Sequence, residues 1–313
     1  MKRSIETDLY VTLDIGGSSV KAALINSAHE VVTDSFTNTR IDSNGPQRQV
    51  IDTIIATIAE KFSLSKTLGN IKAIGISFPE FSDYEQGIIA FMKDKFQNAG
   101  GICLKDEIIR GLGLSNDFCI VFEEDSVAFL KGALRVEDFH EFNRIIGLTL
   151  GTGLGSAFMV AGKIIRDAAD VPPDGELGCL PYREGIIEEK VSINGILKIY
   201  RKITGNEEKD VKNIAEKANK GEANAIRTFE EFGGRMGQII RPYVESFKTE
   251  CLIIGGQIAK SYNFFEESLR LKLIDIPSLK EIRPAESIDF CPFWGLISMI
   301  EKNTKVNSIK INN

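Results

Sequence analysis

Two glycine-rich turns of one design lie about half a chain apart. The first, Leu13-Asp14-Ile15-Gly16-Gly17-Ser18-Ser19-Val20-Lys21, joins the apolar runs 9–13 and 20–25. The second, Leu148-Thr149-Leu150-Gly151-Thr152-Gly153-Leu154-Gly155-Ser156, joins runs 144–150 and 156–160. Both predict β-hairpins. Successive N–H groups of such a turn, beside a hydroxyl, can point at an anion, because no Cβ blocks the approach and φ > 0 costs little. Either turn alone is most often only a turn; a pair from two halves points to the phosphates of a nucleotide held in a cleft. The chain has no Gly-x-x-x-x-Gly-Lys-Ser/Thr, and no Gly-x-Gly-x-x-Gly between a strand and a helix, so P-loop and dinucleotide-binding readings lack support.

The pattern around the first turn recurs around the second. After the first hairpin the sequence predicts a third strand over 30–36, an amphipathic helix over 46–62, and strands over 71–78 and 118–122. The last of these runs into Glu123-Glu124-Asp125 and a helix over 126–135. In the second half, helices are expected over 209–219 and 222–247, and a strand over 251–254 that leads through Gly255-Gly256-Gln257 to a helix beginning near Ala259. Such a turn toward a helix N-terminus favours polar ligand groups, and is also plain strand-to-helix punctuation. A final helix over 293–302 and a frayed tail over 303–313 complete the chain. The recurrence predicts two α/β domains of similar topology: 1–124, completed by the C-terminal helix at about 293–313, and a larger one over 125–292.

Composition narrows the partners. At 313 residues, 43% of them apolar, the chain can fill two cores. Lys+Arg number 38 against 44 Asp+Glu, so no basic excess drives binding to nucleic acid. The start lacks a signal-peptide run, and no stretch approaches about 20 apolar residues; neither a membrane nor secretion is expected, and a cytoplasmic location is. The five cysteines, Cys103, Cys119, Cys179, Cys251 and Cys291, show no Cys-x-x-Cys spacing, so neither a disulfide framework nor a zinc site is indicated.

In order and spacing, over nearly the whole chain, these segments resemble the ROK family of sugar kinases and sugar-responsive regulators, within the actin/hexokinase-like (ribonuclease H-like) ATPase superfamily. Asp14-Ile15-Gly16-Gly17-Ser18 is similar to the family's first phosphate motif, Asp-x-Gly-Gly-Thr, with the hydroxyl kept. Gly151-Thr152-Gly153-Leu154-Gly155 is similar to its second, and Gly255-Gly256-Gln257 to its adenosine motif. Glu124-Asp125 falls where the family has Asn-Asp, and Gly175-Glu176-Leu177-Gly178 matches its sugar loop. The resemblance implies mixed sheets flanked by helices, an active site in an interdomain cleft, ATP and Mg²⁺, a small-molecule sugar substrate, a homodimer, and phosphoryl transfer to a sugar hydroxyl.

It also implies roles. Asp125 would be the general base, although a carboxylate opening a helix is also a common cap. Asp14 would sit by the metal-bound phosphates, although Asp before Gly-Gly is also turn chemistry. Glu176 and Glu188 would accept hydrogen bonds from sugar hydroxyls, Glu188 standing four residues before Ser192 as in the family's Glu-x-x-x-Ser. Asn98 corresponds to a sugar-contacting Asn of the small-domain loop, and Glu124 would line the sugar pocket. Lys21, past the turn, is read as solvated.

Four departures bear on the substrate. Cys179 replaces a family His, and 180–187 contains no cysteine, so no structural zinc is expected. Glu124 and Val127 replace two family Asn residues, and Glu80 follows Pro79 where Gly is usual. Together these changes argue against assuming glucose and fit a different hexose or a hexose derivative, the extra carboxylates making an amino sugar one option. The alternative is a catalytically silent sugar sensor. Family repressors carry an N-terminal helix-turn-helix of several tens of residues, whereas the first phosphate strand here begins near Leu9, which with Asp125 favours an enzyme.

Overall fold

The computed structural model describes residues 7–93 and 95–311, with side chains to residue 304. In chain order the elements are β1 (Thr7–Ile15), β2 (Ser19–Asn26), β3 (Thr37–Arg40), α1 (Gln47–Ser65), β4 (Gly69–Phe78), β5 (Phe81–Asp83), β6 (Ile88–Ile89), α2 (Leu104–Leu112), β7 (Cys119–Glu124) and α3 (Asp125–Val136). There follow β8 (Arg144–Leu150), β9 (Leu154–Val160), β10 (Lys163–Ile165), β11 (Pro181–Tyr182), β12 (Gly185–Ile186), α4 (Ile193–Thr204), α5 (Val211–Asn219), α6 (Ala223–Ser246), β13 (Cys251–Gly255), α7 (Glu266–Leu273), β14 (Glu281–Pro284) and α8 (Cys291–Ile311). The chain divides into one unit of residues 1–136 and 290–313 and a second of 137–289.

Each unit is built on the same sheet. The first has strand order β3-β2-β1-β4-β7 and the second β10-β9-β8-β13-β14. In both, the first three strands are antiparallel neighbours and the last three are parallel. The recurrence of the glycine hairpin in the sequence therefore corresponds to a recurrence of topology.

Strand alternation sorts the first sheet's side chains to two faces. Val11, Leu13, Ile74, Ile76, Ile120 and Phe122 pack with Val50, Ile54 and Ile58 of α1 and Leu104 and Ile108 of α2. Ala23, Ile25, Ala73 and Val121 meet Phe293, Ile297 and Ile300 of α8 on the opposite face. In the second unit Ile146, Leu148, Leu150, Leu252 and Ile254 carry a layer of α4, α6 and α7 through Ile196, Ile199, Phe229, Phe232, Met236 and Leu269. Cys251 and Cys291 are buried, and burial pushes the Cys251 thiol up to about 12, so it is a packing residue.

Four expectations are corrected. Residues 30–36 do not form a strand; Val31 makes one isolated bridge to Ile25, and the third strand is β3. Asp34 turns into the left-handed region, φ 59°, and the Ser35 hydroxyl takes the Leu24 N–H at 3.1 Å, so a side chain occupies a place on the edge of β2 that a backbone carbonyl would fill. The helix after β13 starts at Gln257 as a 3₁₀ segment, Gln257–Phe264, interrupted at Ser261. The tail is helical to Ile311, since nothing after Gly295 is glycine or proline; Asn312 and Asn313 lie outside the described residues. Finally, α3 groups with the first unit, not the second, because it packs on α8: a Cβ on Gly132 would overlap the Cys291 carbonyl and one on Gly295 the Ala128 carbonyl.

Candidate active site

The parallel strands of the first unit bring a polar row to their carboxyl ends, where open α/β sheets bind ligands. Asp14 pairs in register with Ser77, and Ser77 with Glu123. One residue further, Phe78 pairs with Glu124, and Asp125 opens α3. The Ser77 hydroxyl donates to Asp14 Oδ1 at 3.0 Å, and Lys21 Nζ lies 3.7 Å from Asp14 Oδ2. Lys21 is thus not a solvated side chain: the hairpin pairs it with Asp14 across β1 and β2, and both side chains are only 18% exposed.

At the β7–α3 junction the acids are arranged at different depths. Glu123 accepts Lys131 Nζ at 2.6 Å. Glu124 is buried and accepts the Ser126 hydroxyl at 2.6 Å. Asp125 is half-buried, the position in this row from which a carboxylate can reach an external hydroxyl. Asn98 is exposed, and its amide N–H groups go to the carbonyls of Asn44 at 3.1 Å and Gly45 at 3.0 Å. It therefore ties its loop to the approach of α1 through its donors.

The β1–β2 turn is closed by the Gly16 N–H on the Ser19 carbonyl at 2.9 Å, with Gly17 and Ser18 at its tip. Neither Gly16 nor Gly17, nor Gly151 or Gly153 of the second turn, has a positive φ; the need for glycine here is one of space. A Cβ on Gly151 would meet nothing within 4 Å, and one on Gly16 only the Ser19 carbonyl at 3.8 Å. Gly16 and Gly151 present bare backbone outward, the surface that a phosphate group needs, whereas a Cβ on Gly153 would meet Glu188 Oε2 at 2.5 Å. Gly256 differs: φ is 79° and a Cβ would collide with the Leu150 backbone, so that glycine is structural.

In the second unit, Gly151, Thr152 and Gly153 form the β8–β9 turn, and Gly155 lies just beyond it in β9, paired with Thr149. Gly151 N–H donates to Gly153 O at 3.1 Å, and the Gly151 carbonyl receives Ile193 N–H of α4 at 2.9 Å. Glu188 approaches the same turn: Oε2 accepts Leu154 N–H at 3.3 Å, and the Glu188 N–H donates to Gly178 O at 3.1 Å. The 175–178 segment and the β8–β9 hairpin therefore meet at Glu188. Glu176 Oε2 receives the Cys179 thiol at 3.5 Å. Gly255 ends β13, and Gln257 donates to Asp289 Oδ1 at 2.7 Å while Lys260 holds Asp289 Oδ2 at 2.7 Å. The sequence analysis assigned no role to Ser77 or Ser156 and read Lys21 as solvated; strand register, which pairs Asp14 with both Ser77 and Lys21, is the signal that locates those two.

The model of the ROK family matches residues 10–300. The chain belongs to the ROK family. Among its ROK relatives, a glucokinase of Thermotoga maritima is 25% identical over 287 residues, covering 85% of this chain and 87% of that protein. An N-acetyl-D-glucosamine kinase of Vibrio parahaemolyticus is 24% identical over 277 residues, covering 83% and 87%. Among solved structures, a ROK family glucokinase from Streptomyces griseus in complex with glucose and AMPPNP superposes with a TM-score of 0.76 at 18% identity, over 94% of this chain and 99% of that one. The fold is the actin-like ATPase fold. Among the described residues no helix is long and apolar enough to cross a membrane.

Proposed function

We propose that this ROK protein is an ATP-dependent sugar kinase that transfers the γ-phosphoryl group to a hydroxyl of a hexose or hexose derivative, with Asp125 as general base. The observation that carries the reading is the row Asp14, Ser77 and Glu123 in register at the carboxyl ends of three parallel strands, with the half-buried Asp125 just beyond it. In the step, the sugar oxygen forms a bond to the γ-phosphorus as the bridging bond to the β-phosphate breaks, and the hydroxyl proton passes to the Asp125 carboxylate.

The candidates for ATP are, in the first unit, Asp14, Gly16, Gly17 and Ser18 for its phosphates and, in the second, Gly151, Thr152, Gly153 and Gly155 for its phosphates and Gly255, Gly256 and Gln257 for its adenosine. Asp14 fits a magnesium ion in kind: Mg²⁺ characteristically takes one or two carboxylates and fills its shell with phosphate and water, and the Asp14 carboxylate stands beside the β1–β2 turn with one oxygen held by the Ser77 hydroxyl. When bound, the ion would neutralise charge on the phosphates. Ser77 and Lys21 hold Asp14 in place for it. Glu176, Glu188, Glu124 and Asn98 are the candidates for the sugar hydroxyls, through acceptors, since the Asn98 donors are already engaged.

The test is ADP release with Mg²⁺-ATP against a panel of hexoses, ketoses, and free and N-acetylated amino sugars, run beside Asp125→Ala. Sugar-dependent turnover that falls at least about 10²-fold in the variant is expected, the scale of lost base catalysis. Turnover kept by Asp125→Ala would remove that residue from its role. Sugar binding by calorimetry without turnover in the wild type would replace the kinase with a sensor.

A further inference from the structure

The loop that carries Glu176 has an unusual backbone and a side-chain fastening to the neighbouring strand. Asp174 and Gly175 are consecutive left-handed residues, φ 57° and 80°, and Glu176 follows in an extended conformation. Left-handed geometry at a non-glycine residue is sparsely populated and persists where surrounding structure holds it. Within the loop, Gly175 N–H donates to Pro172 O at 2.9 Å and Glu176 N–H to Pro173 O at 3.0 Å; Ser156 of β9 adds a hold from outside it. Its hydroxyl donates to the Gly175 carbonyl at 2.6 Å and accepts the Leu177 N–H at 2.8 Å. These two bonds straddle Glu176, one on the residue before it and one on the residue after. Ser156 itself is buried, 2% exposed, on a strand rigidly paired with β8.

We infer that Ser156 is the positioning residue of Glu176 in the proposed sugar site, an inference that rests on the kinase reading above. A serine hydroxyl is both donor and acceptor, so one side chain can clamp a carbonyl and an N–H that flank a single residue. Alanine loses both bonds. A thiol is a weak donor and a weak acceptor, so cysteine keeps the size and loses most of the clamp. The aim of the Glu176 carboxylate is then set by the strand together with the loop's own turn, with Cys179 adding one contact at the far end of the side chain. Ser156 also lies in the same hairpin as the second phosphate turn, so the sugar ligand is referenced to the strand that the turn begins.

The experiment measures sugar affinity by calorimetry, using whichever sugar the wild type turns over fastest, for Ser156→Ala, Ser156→Cys, Glu176→Ala and Ser156→Ala/Glu176→Ala, with AMPPNP affinity measured in parallel. Ser156→Ala should weaken sugar binding about tenfold, the scale of a hydrogen bond's contribution to ordering, with AMPPNP affinity within about twofold and the double variant no weaker than Glu176→Ala alone. Ser156→Cys should behave like Ser156→Ala, and it stands in should the alanine variant not fold. Wild-type sugar affinity in Ser156→Ala or Ser156→Cys, beside a loss in Glu176→Ala, would overturn the inference and leave the kinase reading intact. Equal losses of Ser156→Ala in both backgrounds would also overturn it, since Ser156 would then act independently of Glu176. A wild type that turns over no sugar defeats the kinase reading and this inference with it.

Discussion

Ser77 and Asp14 are partners twice over: paired in register on adjacent parallel strands, and joined by a 3.0 Å hydrogen bond from the Ser77 hydroxyl to Asp14 Oδ1. The bond turns one carboxylate oxygen inward and leaves Lys21, 3.7 Å from the other, to balance its charge. Groups that orient a metal-facing carboxylate are worth about 10–100-fold in metal affinity or activity. Ser77→Ala should therefore raise the Mg²⁺ concentration for half-maximal activity by about tenfold and leave the KM for sugar unchanged. An unchanged Mg²⁺ requirement would detach Ser77 from the phosphate site.

Gly151 and Gly256 differ in what an added side chain would meet. A methyl at Gly151 meets nothing within 4 Å, whereas one at Gly256, φ 79°, strikes the Leu150 backbone. Gly151→Ala should keep the stability within about 0.5 kcal/mol of wild type and weaken AMPPNP binding by about tenfold or more, because the methyl stands where a phosphate would approach. Gly256→Ala should lose at least about 1–3 kcal/mol from the left-handed conformation alone. Thermal melts with and without AMPPNP distinguish the two. Full nucleotide affinity in Gly151→Ala would contradict the assignment of that turn.

How far the sequence reaches can be seen at particular residues. The paired glycine turns led to two sheets of one topology because a hairpin between two apolar runs is a local object, specified by its own residues. The third strand was misplaced because 30–36 has the right apolar spacing, while the Asp34 turn and the Ser35 hydroxyl on Leu24 N–H depend on where β2 lies. In the site, Asp14, Asp125, Glu176 and Glu188 stand out through motif spacing. Ser77, Lys21 and Ser156 do not, since their parts come from strand register and from a bond to a loop about twenty residues away, neither of which periodicity encodes. The position of Asp125 on α3 was legible, but the unit that holds α3 was not, because helix crossing through paired glycines is a property of two segments far apart in sequence.

That crossing sets the next expectation. Gly132 of α3 and Gly295 of α8 each face backbone carbonyls of the other helix, with no room for a Cβ. Even one added methyl must push the helices apart, and overpacking of this kind costs about 1–3 kcal/mol, more where backbone must move. Gly132→Ala or Gly295→Ala should lower the Tm by several degrees at least. Because Asp125 is the first residue of α3, the same variants should lower kcat more than they raise the KM for ATP. A Tm equal to wild type would mean that the two helices yield without cost.

The middle of α8 carries a pH-dependent contact at Glu301. Burial acts to raise the Glu301 carboxyl, but Arg135, by hydrogen bond and charge, and His29 outweigh it, and the net shift is downward. Arg135 Nη1 lies 3.0 Å from Glu301 Oε2, and His29 Nε2 2.6 Å from Oε1. A carboxyl whose folded pKa lies below its unfolded value stabilises the fold above the unfolded value, and that contribution fades as the pH falls through the folded one. Both side chains of the Arg135 pair are a quarter to a third exposed, so solvent screening keeps the effect to about 1 kcal/mol or less. Glu301→Gln should accordingly lower the Tm at pH 7, and the gap to wild type should narrow as the pH is taken below the ordinary carboxylate range of about 4. A gap that widened on acidification would reverse the sign and show that Glu301 is held protonated, with burial and not Arg135 in control.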